Sequence, residues 1–208
     1  MKWTSPSALV TGAVVVALTL SACGDDDNGH GSGHSPGMDG MSSSATPSTA
    51  AGRQGDISFA QQMIPHHRQA VQMADMALGK QGVSADVTRL ATDIKKAQDP
   101  EITKMSGWLR SWGAAVPSAG SHAGHDMSGM PGMMSEQDMS GLEKASGSTF
   151  DRMWLTMMIK HHQGAVTMAT DVKKTTSNPQ VTSLANAIIK GQNAEIRTMQ
   201  GLLKPSSS

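Results

Sequence analysis

At 208 residues the chain has room for one domain of ordinary size plus tails. Its 17 basic and 17 acidic residues cancel to a formal charge of zero, and no Lys/Arg cluster of the kind that grips phosphate occurs, which argues against nucleic acid as a partner. A single cysteine leaves no pair for an internal disulfide.

The chain opens with a short basic start, an apolar run from Ala8 to Leu20 and small residues before Cys23, the pattern of a secretory signal over residues 1–22. The run is too short and too interrupted for a spanning helix. Leu20-Ser21-Ala22-Cys23 resembles a bacterial lipobox, after which Cys23 becomes a lipid-modified N-terminus. The expected location is the outer face of the cytoplasmic membrane or the periplasm, with the membrane held through lipidated Cys23. Two or more acyl chains anchor stably where one holds marginally. Residues 23–55, rich in Gly, Ser, His and Met, read as a disordered tether. Gly33-His34-Ser35-Pro36-Gly37 matches the G-x-S-x-G nucleophile pattern, but that motif needs a strand-to-helix elbow and here lies in the tether.

From residue 56 the sequence repeats itself. Met63, Ile64, His66, His67, Ala70, Val71, Met73 and Ala74 correspond to Met158, Ile159, His161, His162, Ala165, Val166, Met168 and Ala169. Gln98, Glu101, Ile102 and Met105 fall on Gln192, Glu195, Ile196 and Met199. Each copy holds two segments with apolar residues at helical spacing, so the copies predict two helical hairpins. Helices are expected at 57–79 and 85–112 in repeat 1 (56–112), and at 149–174 and 179–203 in repeat 2 (149–204). Asp56 and Ser148 are candidate N-caps, Gly79 and Gly82 mark the first hairpin turn, and Asn178-Pro179 opens the last helix. Pro65 and Pro100 interrupt helical patterns, but Lys160 and Ala194 take the matching places, so kinks are expected and not breaks. A hairpin with one apolar face cannot bury it alone. The fold class expected is therefore all-α, a ferritin-like four-helix bundle over 56–204 whose hairpins are joined by a Met/His-rich crossover at 113–148.

At about 100° per residue, His66 and His67 flank the centre of the buried face of their helix, beside small Ala residues, and His161 and His162 do the same in the second copy. A lone histidine on such a face is usually a satisfied core residue. Four of them, paired and repeated, point instead to metal ligation, because neutral imidazoles are costly to bury without partners and are the commonest metal ligands. Methionine is abundant, 17 residues against 2 Phe and no Tyr. Within the helices, core filling and ligation both account for Met63, Met73, Met158 and Met168. In the crossover, "SHAGHDMSGMPGMM" (121–134) interleaves His122, His125, Met127, Met130, Met133 and Met134 with residues that build no core, so these are expected as secondary, exposed ligands. Thioethers with imidazoles select Cu(I) and Ag(I). Glu101 and Glu195 are expected to bond the ligating rings from behind. At the ordinary imidazole pKa of about 6.5, proton competition would release metal from the bundle between roughly pH 7.5 and 5.

Paired M-I-x-H-H helices, each followed by a Q-x-x-E-I-x-x-M helix, are similar to those of a bacterial "domain of unknown function" family of secreted proteins that has a copper-binding member. The resemblance covers about 56–112 and 149–203. It implies a ferritin-like bundle, secreted or membrane-anchored, binding copper through Met63, His66, His67 and Met73 and through Met158, His161, His162 and Met168. Trp154 replaces Phe59 and Gly164 replaces Gln69 in the second copy, so the half-sites need not be equivalent. The reading is a lipid-anchored extracytoplasmic copper-binding protein without catalysis, sequestering Cu(I) or passing it to a copper-transfer protein. Two alternatives stand beside it. One is a redox metalloprotein built on the histidines with Glu101 and Glu195, against which the lack of any Glu-x-x-His argues. The other is an interaction module with structural histidines.

Overall fold

The computed structural model describes residues 47–118 and 129–204. The lipobox, most of the expected tether, and His122, His125 and Met127 lie outside the described residues. Among those described the chain is all-helical: α1 (Pro47–Gly79), α2 (Ala85–Ser111), α3 (Glu136–Lys144), α4 (Gly147–Val172) and α5 (Pro179–Leu203). Helices α1 and α2 pair as one hairpin and α4 and α5 as the other, and α1 lies against α4 where the hairpins meet.

The helix ends follow from local chemistry. The Ser84 hydroxyl caps α2 by accepting from the Val87 N–H, and Gly82, at φ 77°, supplies the left-handed residue that the preceding turn requires. Asn178 caps α5 by accepting from the Gln180 N–H, and Pro179, which has no N–H to lose, takes the first helical position. Both α1 and α2 continue through Pro65 and Pro100, as expected. Other expectations are corrected. Helix α1 starts at Pro47, so the last residues of the tether are helical and Asp56 is a buried interior residue rather than a cap. The N-cap position of α4 is Ser146, not Ser148. The crossover holds a helix of its own, α3, started by a reciprocal capping box between Ser135 and Asp138. Its Met139 and Leu142 are buried, which gives that segment a packing reason to be ordered.

The apolar interior falls into two clusters. One joins Ala70 to Ala77 of α1, Val87 to Ile94 of α2, Phe150 to Met158 of α4, and Ile196 and Met199 of α5. In the other, Phe59 to Ile64 of α1 meet Met105 and Leu109 of α2, Ala165 to Val172 of α4 and Val181 to Ile188 of α5. Early residues of α1 thus meet late residues of α4, so the two helices run antiparallel. Fully buried Trp154 ties them together by donating its indole N–H to the Met73 carbonyl at 2.9 Å. Between the clusters every long helix contributes polar residues at the same level: His66 and His67, Gln98 and Glu101, His161 and His162, Gln192 and Glu195. A polar layer therefore divides an otherwise apolar core.

Candidate metal centre

All four histidines are buried in this layer, on α1 and α4. The rings of His66 and His161 meet across the hairpin interface with centroids 3.8 Å apart and planes inclined at 37°. His161 and His162 lie 6.4 Å apart with their planes at 54°. Placing four imidazoles in a core is costly unless their nitrogens find partners.

Only some of them do. His67 Nε2 lies 2.8 Å from Glu101 Oε2, and His162 Nε2 lies 2.7 Å from Glu195 Oε2. Each pair joins one hairpin's first helix to its second, and each carboxylate keeps about 20% of its side chain open to solvent. His66 Nε2 faces the Pro131 carbonyl oxygen at 3.0 Å. A carboxylate or a carbonyl can only accept, so in all three rings Nε2 carries the proton it donates, and in a neutral ring so oriented Nδ1 is left as a lone pair. Yet Nδ1 of all four histidines is buried without a hydrogen-bond partner, and so is Nε2 of His161. A polar contact between His161 and the His66 backbone falls short of hydrogen-bond geometry.

Burial decides the charge of two of these rings. Desolvation, reinforced by the repulsion that a protonated His66 would meet from a protonated His67 or His162 and opposed by the Pro131 carbonyl, pushes the His66 pKa down to about 3. His161 is held well below the ordinary imidazole range, first by burial and then by the repulsion that its proton would meet from any proton on His66, His162 or His67. Both are neutral at neutral pH, the state in which an imidazole binds a metal.

The residues present thus fit a metal ion by the chemistry of the donor set: buried imidazole nitrogens with nothing to bond, two of the rings held neutral by burial. The arrangement is not a finished coordination sphere, since among the described residues no three His, Cys, Asp or Glu side chains already converge on one point. A shared ion would require a ring to turn, and His161, with neither nitrogen hydrogen-bonded, is the ring least restrained.

The expected methionine ligands divide around the layer. Met63 and Met168 belong to the apolar cluster on one side, Met73 and Met158 to that on the other, and all four are buried. The crossover differs from expectation. Met130 is half-buried, while Met133 and Met134 are buried, Met134 inside the first cluster. The Met-Gly-Ser-Pro composition reads as solvated because its packing partners, on α1 and α4, are distant in sequence. Two groups that the sequence reading did not weigh as site residues are Gln98 and Gln192. Both are buried in the layer, Gln98 with neither amide atom bonded and Gln192 with Oε1 unbonded. Their repetition three residues before Glu101 and Glu195 is the signal that could have found them.

The fold and this layer define an all-helical protein of two repeated hairpins with a buried histidine–carboxylate centre. The chain belongs to the Domain of unknown function (DUF305) family, which it matches over residues 56–203. It is similar to a DUF305 protein from Streptomyces coelicolor described as secreted, with 32% identity and a TM-score of 0.64 over 72% of this chain and 91% of that one. It is also similar to CopM in its Cu(II)-bound form, at 37% identity and a TM-score of 0.60 over 71% of this chain and 94% of that one. CopM in its Cu(I)-bound form matches at 34% identity and a TM-score of 0.59 over the same shares. No match is found among curated proteins. Among the described residues no helix is long and apolar enough to cross a membrane.

Proposed function

We propose that this chain is an extracytoplasmic copper-binding protein that takes up Cu(I) in the histidine layer of its bundle, for sequestration or for transfer to a copper-transfer protein. The observation that carries the reading is the set of five buried ring nitrogens without partners. A structural role would satisfy such groups, because leaving one unpaired costs about 1–3 kcal/mol. His66, His67, His161 and His162 are the proposed nitrogen ligands. Met63, Met73, Met158 and Met168, buried in the apolar clusters on either side of the layer, are the proposed soft donors that favour Cu(I) over harder ions. Similarity to CopM, solved with Cu(I), Cu(II) and Ag, supports the choice of metal. His122, His125, Met127 and Met130 are proposed as weaker crossover ligands, with Met133 and Met134 available only if their packing opens. In this reading Glu101 and Glu195 spend their hydrogen bonds on the ligand rings, which favours binding over the redox alternative.

The test is a Cu(I) titration against a competing chelator, with Zn(II) and Fe(II) as controls. Tight, Cu(I)-selective binding is expected, and equal preference for Zn(II) would sink the assignment. Glu101→Ala and Glu195→Ala should each weaken binding roughly 10–100-fold, since a carboxylate behind a ligating imidazole fixes its tautomer and raises its basicity. Unchanged affinity in both variants would remove the carboxylates from the site.

Lipid anchoring is part of the same proposal and rests on Leu20-Ser21-Ala22-Cys23. Cys23→Ser should release the protein from membranes or leave it unprocessed in a fractionation experiment. A variant that is cleaved normally and still membrane-bound would overturn the anchor.

A further inference from the structure

The internal repeat breaks at one informative place. Gln69 of α1 corresponds to Gly164 of α4, and the structure uses both residues on the same piece of crossover. Gln69 grips Met134 with its whole amide: Nε2 donates to the Met134 carbonyl at 2.9 Å, and Oε1 accepts from the Met134 N–H at 2.8 Å. Gly164 provides the seat. A Cβ at position 164 would overlap the Pro131 carbonyl oxygen and stand 2.9 Å from the Gly132 Cα. Gly132 itself has φ 79°, and a Cβ there would come within 2.6 Å of the Lys160 carbonyl oxygen. Pro131–Met134 is thus a strap laid directly on α4 and latched to α1. The Pro131 carbonyl at its start accepts from His66 Nε2.

We propose that this strap is a positioning element of the histidine centre, doing for His66 what Glu101 does for His67 and Glu195 for His162. By giving Nε2–H its acceptor, the Pro131 carbonyl fixes the His66 tautomer and leaves Nδ1 as the lone pair. The strap also makes the two half-sites unequal. Three rings are oriented through Nε2, and His161, against whose backbone the strap sits, is left to adjust. A second consequence rests on the metal-binding reading above: the strap covers the His66–His161 contact, so metal exchange is slow while the strap is seated and faster when it lifts.

The experiment uses the full chain, metal-free, with long-range 15N NMR of the imidazoles and hydrogen exchange of the strap amides, followed by Ag(I) exchange kinetics. In the parent, His66 should be the Nε2–H tautomer, and His67 and His162 should each carry a proton on Nε2. Gly164→Ala unseats the strap by steric overlap, and Gln69→Ala removes the latch without introducing a clash, so the second variant serves if the first fails to fold. In either, the Met134 amide should lose protection by about 10-fold or more. His66 alone should pass to a mixture of tautomers, with His67 and His162 unmoved. Ag(I) should enter and leave about 10-fold faster. An Nδ1–H tautomer at His66 in the parent overturns the proposal. So does a strap that loses protection without moving the His66 tautomer, or one that keeps its protection in both variants. If the tautomer responds as stated but the parent binds no Ag(I), the positioning role stands and the metal-binding reading fails.

Discussion

Replacing His161 with Leu should yield a metal-free protein more stable than its parent by about 1–3 kcal/mol, because a ring with two buried, unbonded nitrogens gives way to an apolar side chain. His161 is the informative position for stability. Leu at 66, 67 or 162 would strand the Pro131 carbonyl or a carboxylate that now accepts a ring proton, and that loss would mask the gain. The same change should weaken Cu(I) binding strongly, and replacing all four histidines with Ala should abolish the tight class of site. Opposite signs for stability and binding are the mark of groups kept for a ligand rather than for the fold. Chemical denaturation of the metal-free proteins decides the first sign, and competitive titration the second. If His161→Leu destabilises the fold by the 2–5 kcal/mol typical of a damaged core, or if the quadruple variant binds Cu(I) as tightly as the parent at neutral pH, the histidines are structural.

Much of this architecture can be read from spacing. The recurrence of Met-Ile-x-His-His and of Gln-x-x-Glu fixes two equivalent hairpins, and helical periodicity puts both His pairs on the buried face, where the structure has them. Hydrogen bonds from Glu101 and Glu195 to histidine rings are expected from the need of ligating imidazoles for partners, and the structure pairs the two carboxylates with His67 and His162. What sequence did not reveal lies where distant residues meet. Composition marks 113–148 as solvated, since the partners that order Pro131–Met134 are Gln69, 65 positions from Met134, and Gly164 on α4. The mismatch of Gln69 with Gly164 was visible, but its meaning requires knowing that one strap touches both. Nor could the tautomers be read from sequence. They depend on which nitrogen faces an acceptor, and that is set by the seating of α2 and α5 against their hairpin partners and of the strap on α4.

Acidification should destabilise the metal-free protein well before it protonates His66 and His161 in the folded state. From an ordinary imidazole pKa, loss of metal would be expected between roughly pH 7.5 and 5, but burial has moved His66 to about 3 and His161 well below its usual range. In the folded protein these two rings stay neutral through that window, and proton competition at them falls at lower pH. The unfolded chain has no such protection. Its imidazoles take up protons near pH 6.5, so below that value the unfolded state binds more protons than the folded one and stability falls with pH. The contribution of His66 is therefore complete above about pH 6.5 and is lost progressively as pH falls towards about 3. At about 1.4 kcal/mol per pH unit, His66 alone removes roughly 2 kcal/mol between pH 6.5 and 5, and His161 acts in the same direction. Denaturation midpoints across pH 7.5 to 4 should show this slope, and His161→Leu should flatten it by removing one of the two rings. A midpoint indifferent to pH across that range would mean that these rings are either solvated or already paired. The buried, metal-ready layer would then be wrong at its root.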